Sequence, residues 1–288
     1  MLLINNVKLS LDTDFSDLKP YAARELKIDV SAVKSARLYR KSVDARKKSD
    51  LHFCCSLIAE LKINENAVLK KAKNASVYAP REYVWRISEK RPETRPVIVG
   101  FGPAGMFAAL FLARAGLRPL VLERGRDVDL RTADVNRFFA GGELNTESNV
   151  QFGEGGAGTF SDGKLSTGIK DFRCRAVLEE FYKHGAPENI LTDAKPHIGT
   201  DILVNVVKSI REEIISLGGE VRFEARLDNL RFEGGRLVAA VTAKEEIPCE
   251  RLILATGHSA RDTFLMLKNN GVNMIRKPFS MGVRIEHR

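Results

Sequence analysis

Gly100-Phe-Gly-Pro-Ala-Gly105, with Glu123 21 residues beyond Gly102, has the most specific chemical spacing in this 288-residue chain. In a G-x-G-x-x-G the first glycine permits a tight strand-to-helix turn and the second lets the backbone approach a pyrophosphate. The third lets the helix lie close to the strand. Pro103 suits the first turn of such a helix, whose N–H groups and positive dipole end face the phosphates. A carboxylate placed like Glu123 accepts hydrogen bonds from ribose hydroxyls and repels a 2′-phosphate, so FAD or NAD is expected rather than NADP. Gly102→Val is then expected to abolish dinucleotide binding, and Glu123→Ala to weaken it without unfolding the domain. A tight turn that holds no nucleotide is the alternative.

A second literal match, Gly153-Glu-Gly-Gly-Ala-Gly158, reads differently. It follows Asn149-Val-Gln-Phe152, too polar and short for a central strand, and leads into Thr159-Phe-Ser-Asp-Gly163, which is turn chemistry. It is not a second fingerprint. Glycines at 153, 155, 156, 158 and 163 still offer backbone N–H groups with little bulk, suited to a phosphate or a flat ring, with a plain flexible loop as the alternative. His197, in Lys195-Pro-His-Ile198, and His258, directly after Ala255-Thr-Gly257, are the acid/base candidates; a ring bonded to backbone is the alternative for each. The five histidines show no metal-ligand spacing such as H-x-x-x-H. Cys54, Cys55, Cys174 and Cys249 form no C-x-x-C pair, and neighbours on a strand point to opposite faces, so neither a zinc site nor a redox dithiol is expected. Free thiols suit a reducing, cytoplasmic compartment.

The elements that must position these residues fall into two parts. Residues 1–80 read as strand (2–9), helix (15–26), strands (36–43 and 51–61), helix (65–73) and strand (76–78). That β-α-β-β-α-β order is the ferredoxin-like split βαβ arrangement. Residues 81–95 are polar and basic, carry Pro92 and read as a linker with a short extended piece at 83–87. Beyond them, Arg95-Pro-Val-Ile-Val-Gly100 is a buried strand, 103–115 an apolar helix and 117–123 a second buried strand, the opening of a parallel sheet. Helical spacing recurs at 128–139, 173–182 and 201–217, the last with Thr200 as cap and Gly218-Gly219 as stop. A strand at 220–223, a hairpin turning through Glu233-Gly-Gly-Arg236 and a strand at 251–255 complete the pattern.

Taken together, Gly100-Phe-Gly-Pro-Ala-Gly105, Val121-Leu-Glu-Arg124, the glycine-rich 153–165 stretch and Leu252-Ile-Leu-Ala-Thr-Gly257 resemble the glutathione-reductase-like flavoproteins. Ser42-Val-Asp-Ala-Arg-Lys-Lys48 and Lys195-Pro-His-Ile-Gly-Thr-Asp201 are similar to a group of bacterial FAD-dependent dehydrogenases with an extra N-terminal domain. The resemblance covers essentially the whole chain and implies an α/β fold: a Rossmann-like, three-layer FAD-binding domain (96–260) with parallel sheet and β-meander, preceded by a small α+β ferredoxin-like domain. It implies FAD held at the adenosine and pyrophosphate end by Gly100, Gly102, Pro103, Ala104, Gly105, Glu123 and Arg124. Gly155, Gly156, Ala157, Gly158, Thr159, Ser161, Asp162, Gly163 and Lys164 would lie along the pyrophosphate and flavin, with Thr256 and Gly257 returning to the cofactor. Lys164 could place positive charge near the flavin ring, a surface lysine being the alternative. Members of the group run well beyond this length, so residues 261–288 are expected to begin a substrate region and the chain to be an N-terminal portion.

The resemblance implies an FAD-dependent oxidoreductase acting on a small molecule, with NAD(P)H as candidate external donor. With no Cys-x-x-x-x-Cys pair, dithiol-type disulfide reduction is disfavoured. Residues 1–95 hold 20 Lys/Arg against 12 Asp/Glu, so +8 of the formal +9 lies there. The basic run Arg46, Lys47, Lys48 keeps an RNA-associated flavoprotein as one alternative, although the aromatic RNA-recognition signature is absent and a solvated face is the plainer reading. A non-catalytic dinucleotide-binding module is the other. The N-terminus lacks a signal-peptide pattern, and the uncharged run 97–113 is too short and glycine-rich for a membrane span.

Overall fold

The computed structural model describes residues 1–80, 83–84, 87–160, 163–169, 171–283 and 285–287. It opens with β1 (Leu2–Leu9), α1 (Lys19–Leu26), β2 (Val33–Asp44), β3 (His52–Leu61), α2 (Glu65–Leu69) and β4 (Ala75–Val77). The sheet order is β2-β3-β1-β4, antiparallel throughout, as the split βαβ arrangement requires. Alternation explains it: Leu2, Ile4, Val7 and Leu9 from β1 and Cys55, Leu57, Ala59 and Leu61 from β3 fill one face, against Ala22, Ala23 and Leu26 of α1. Between Ile4 and Val7 the register shifts, with Asn6 at φ 57°. The helix expected from residue 15 begins only at Lys19, because Asp14 accepts the Ser16 N–H in a local turn and Pro20 sits in the first helical turn. Cys54 and Cys55 do lie on opposite faces of β3, Cys55 buried and Cys54 half-buried. Arg37, Arg40, Arg46, Lys47 and Lys48 are all exposed, Arg46 paired with Asp44.

The chain continues through β5 (Val97–Val99), α3 (Pro103–Arg114), β6 (Leu120–Leu122) and α4 (Val128–Phe139), then α5 (Arg173–Lys183) and α6 (Thr200–Ser216). After these come β7 (Glu220–Arg222), the meander β8 (Asn229–Glu233), β9 (Arg236–Val241) and β10 (Glu246–Pro248), then β11 (Leu252–Leu254) and α7 (Arg261–Asn269). A parallel sheet runs β11-β5-β6-β7, with β5 and β6 buried at every residue. The β8–β9 turn falls on Gly234 and Gly235, both at positive φ, as the hairpin sequence predicts. The uncharged 97–113 run is divided between β5 and α3, and among the described residues no helix is long and apolar enough to cross a membrane.

Contacts divide the chain into two compact units. The first is Met1–Ser88 with Ala157–Glu212, the second Glu89–Gly156 with Glu213–Arg288. Residues 157–212, drawn from inside the expected 96–260 domain, therefore group with the N-terminal sheet. Within that first unit, residues 192–194 run beside edge strand β2: Lys41 N–H donates to Thr192 O (2.7 Å) and Ala194 N–H to Lys41 O (2.8 Å). In the second unit, α7 is part of the core, its Leu267 buried with Val97, Leu120, Leu122, Ala240 and Cys249.

Candidate functional site

The second unit gathers most of the nominated residues where β5 leaves the parallel sheet. Gly100 turns the chain at φ +98°, and a Cβ there would lie 2.5 Å from Ala255 O. Gly105, in the first turn of α3, is buried so close to the turn that any Cβ would collide with the Gly100 carbonyl. Gly102 is the N-cap of α3; it offers no side-chain cap and is followed by Pro103. A Cβ on Gly102 would meet only Gly156 Cα, 3.7 Å away. The Gly155 N–H donates to Phe101 O (2.9 Å), which fixes the second glycine segment against the first. Parallel pairing of β11 with β5, extended by Ala255 N–H to Val99 O (2.8 Å), brings Thr256 and Gly257 to the same turn.

Glu123 has a different set of partners from those its spacing suggests. Its carboxylate is buried and accepts three backbone N–H groups: Phe101 on Oε2 (2.6 Å), and Gly125 and Gly153 on Oε1 (both 2.9 Å). Of roughly four lone-pair sites on a carboxylate, one on Oε2 is then left over. Arg124 is also tied down: Nε meets Glu147 Oε2 at 2.9 Å, Nη1 meets Asp262 Oδ1 at 3.1 Å, and the guanidinium lies 4.4 Å from the Phe152 ring centroid. Burial opposes its charge, but the Asp262 and Glu147 carboxylates outweigh that and raise its pKa. The hydrogen bond from Arg124 in turn holds the Asp262 carboxyl below the usual range.

Beside Arg124, at the carboxyl ends of β6 and β7, a cleft of about 630 Å³ opens; Glu147, Phe223, Ala225, Arg226 and Lys244 are among its walls. Apart from Arg124, none of these stands out in the sequence. The available signal is positional, since ligands in open parallel sheets bind beyond the carboxyl ends of the strands. Two more residues escape a sequence reading. Arg131 is buried beneath the second glycine segment and Glu154 is buried within it, Glu154 Oε2 accepting the Val128 N–H (2.8 Å) that opens α4.

Other nominated residues lie in the first unit. Ala157, Gly158 and Thr159 belong to a 3₁₀ turn over Gly156–Phe160, not to a fingerprint helix. Ser161 and Asp162 lie outside the described residues. Gly163, Lys164 and His197 are brought together: Leu165 N–H donates to Pro196 O (2.9 Å) and Ile198 N–H to Gly163 O (3.0 Å), an antiparallel bridge pairing Lys164 with His197. Flanking bonds of this kind set the two side chains on one face, and both residues are exposed. His258, in the second unit, is exposed with Ser259 Oγ 3.4 Å from its Nε2.

All four cysteines are free, burial pushes the Cys55 thiol up to about 11 and also raises Cys249, and among the described residues no His/Cys/Asp/Glu cluster could hold a metal ion.

Comparison with known proteins divides the chain once, between residues 60 and 94, rather than into the two interleaved units. A family model described as pyridine nucleotide-disulphide oxidoreductase matches residues 94–278, and one described as a domain of unknown function matches residues 1–60. An uncharacterized protein of Clostridium beijerinckii is 48% identical over 287 residues, 99% of this chain and 54% of that protein. Thioredoxin reductase of Bacillus subtilis is 31% identical over 113 residues, 32% of this chain and 36% of that enzyme. Among solved structures, L-proline dehydrogenase from P. horikoshii matches with a TM-score of 0.44 and 11% identity, over 65% of this chain and 58% of that one. The chain spans about half the length of the relative that it matches almost end to end.

Proposed function

The chain belongs to the pyridine nucleotide-disulphide oxidoreductase family, and from that premise we propose that it is the FAD-holding part of an FAD-dependent oxidoreductase acting on a small molecule. One observation carries the cofactor reading: Gly102, with only the Gly156 backbone against it, leaves the α3 N-terminus without a side chain over it or capping it. A pyrophosphate fits there, because the helix end favours negative charge and nothing larger than hydrogen stands in the way. In this reading Gly102, Pro103, Ala104 and Gly105 receive the pyrophosphate, with Gly155 and Gly156 facing them. The remaining acceptor site on Glu123 takes a ribose hydroxyl, and the cleft beside Arg124 takes the adenine.

Bound FAD supplies two-electron chemistry, for which the protein needs position and electrostatics instead of a side-chain nucleophile. Glu123 and the glycine turns orient the nucleotide. We assign charge and proton handling to Lys164 and His197, which share one face of a ribbon in the first unit; His258 is the other acid–base candidate. Buried thiols with raised pKa values at Cys55 and Cys249 are poor nucleophiles, which favours electron transfer without a protein dithiol. Four free cysteines suit a reducing compartment such as the cytoplasm.

The test is the visible spectrum of the purified chain, before and after adding FAD, with any released chromophore identified after heating. FAD bound and bleached anaerobically by NADH or NADPH is the expected outcome, and it would name the donor. A folded, colourless protein that takes up no FAD would overturn the assignment, and titration of that protein with NADH would reveal a site for NAD instead.

A further inference from the structure

Arg131 sits on α4 in line with the buried residues Val128 and Val135, and its side chain is fully enclosed. Its guanidinium does not point to solvent but into the underside of the second glycine segment. Nε donates to Asn149 O (2.8 Å), Nη2 to Val150 O (2.9 Å), and Nη1 to Glu154 O (2.6 Å) and Gly153 O (3.3 Å). The contact is close, since Gly153 stands at φ +115° and any Cβ there would run into Arg131 Cδ. Burial lowers the guanidinium pKa to about 10, opposed by the Glu123 and Glu154 carboxylates nearby. Glu123 ties the same segment to the fingerprint turn through the Gly153 and Phe101 N–H groups, and Glu154 ties it to the start of α4.

We propose that Arg131 is the positioning residue of the dinucleotide site: by gripping the carbonyls of residues 149–154 from inside, it keeps Gly156 packed on Gly102 and Pro103 beside the α3 N-terminus, where the pyrophosphate binds in the reading above. The inference rests on the FAD reading above. A planar fork with five donors can bind several carbonyls at once, whereas a lysine ammonium keeps the charge but not the geometry. Arg131→Lys therefore separates charge neutralisation from positioning. Arg131 touches no cofactor atom in this scheme and acts through the glycine segment alone.

The experiment measures three quantities on the wild-type chain and on Arg131→Lys: the melting temperature without ligand, FAD affinity by quenching of flavin fluorescence, and amide hydrogen exchange at residues 153–156. Expected for Arg131→Lys is a folded protein with faster exchange confined to this segment and FAD binding at least tenfold weaker. A purely structural arginine would lower the melting temperature and leave affinity in the folded protein unchanged. Gly153→Ala, which retains every charge and displaces the Arg131 side chain, covers the case in which Arg131→Lys does not fold; the same tenfold loss is expected. Wild-type affinity in either folded variant overturns the proposal. Absence of FAD binding by the wild-type chain would instead overturn the cofactor reading, so the two failures are distinguishable.

Discussion

Removing the Glu123 carboxylate distinguishes a side chain aimed at a ligand from one that holds the protein together. In Glu123→Ala, the N–H groups of Phe101, Gly125 and Gly153 lose acceptors at 2.6, 2.9 and 2.9 Å in a site closed to water. Hydrogen bonds to charged groups contribute roughly 1.5–3 kcal/mol each, so the simple sum is about 4.5–9 kcal/mol. Water entering the vacated space will recover part of this, and about 3–5 kcal/mol is a reasonable net cost, as when one partner of a buried charge pair is removed. Against total stabilities of roughly 5–15 kcal/mol that is a large fraction. At about 2–4 °C per kcal/mol, melting of the ligand-free chain falls by roughly 6–20 °C. Glu123→Gln keeps an oxygen for the two glycines but turns an amide NH₂ toward the Phe101 N–H, costing about 1–3 kcal/mol. Thermal and urea unfolding followed by circular dichroism should rank wild type above glutamine and glutamine above alanine. Unchanged melting of Glu123→Ala, with FAD affinity alone reduced, would refute the reasoning and leave Glu123 with a ribose-binding role only.

Gly102→Val should behave in the opposite way: with only Gly156 Cα near its Cβ, it folds and melts like wild type yet shows no flavin spectrum after incubation with FAD. Gly105→Ala drives a methyl group into the Gly100 carbonyl, so loss of cooperative unfolding in the ligand-free chain is expected, and a normal melt would mean that α3 does not lie so close to the turn. The Cys55 thiol, pushed up to about 11 from 9.0 by burial, ionises later in the folded chain than in the unfolded one. Its contribution to stability is therefore complete below pH 9 and lost as pH rises toward 11. Urea midpoints from pH 8 to 11 should decline in wild type and decline less in Cys55→Ala.

The β5–α3–β6 unit was legible because several local signals agree there: a three-residue apolar strand, glycines at fixed offsets, Pro103 at the helix start and an acidic residue after the next strand. The hairpin at Gly234-Gly235 was legible for the same kind of reason. By contrast, β10 is three residues long and ends in Pro248, and α7 has only Thr263 and Leu267 buried, so neither carries enough periodicity to be seen. The grouping of residues 157–212 with the N-terminal sheet depends on contacts distant in sequence, such as Lys41 with Thr192, which no local pattern encodes. At the site, the spacing located Glu123 but not its partners, because three backbone N–H groups converge on it only once the fold is made. Arg131 left one readable trace: it occupies a position three residues after Val128 and four before Val135, where the core stripe of α4 calls for an apolar residue.

The interleaving of the two units also bears on inheritance and engineering. The chain passes between them after residues 88, 156 and 212, so neither is a contiguous cassette. Deleting the first 80 residues would not be a clean excision, since Thr192 O and Ala194 N–H would lose the β2 backbone groups with which they bond. Any recombination that exchanged the N-terminal sheet at the linker would have to supply a new edge for Thr192 O and Ala194 N–H to bond.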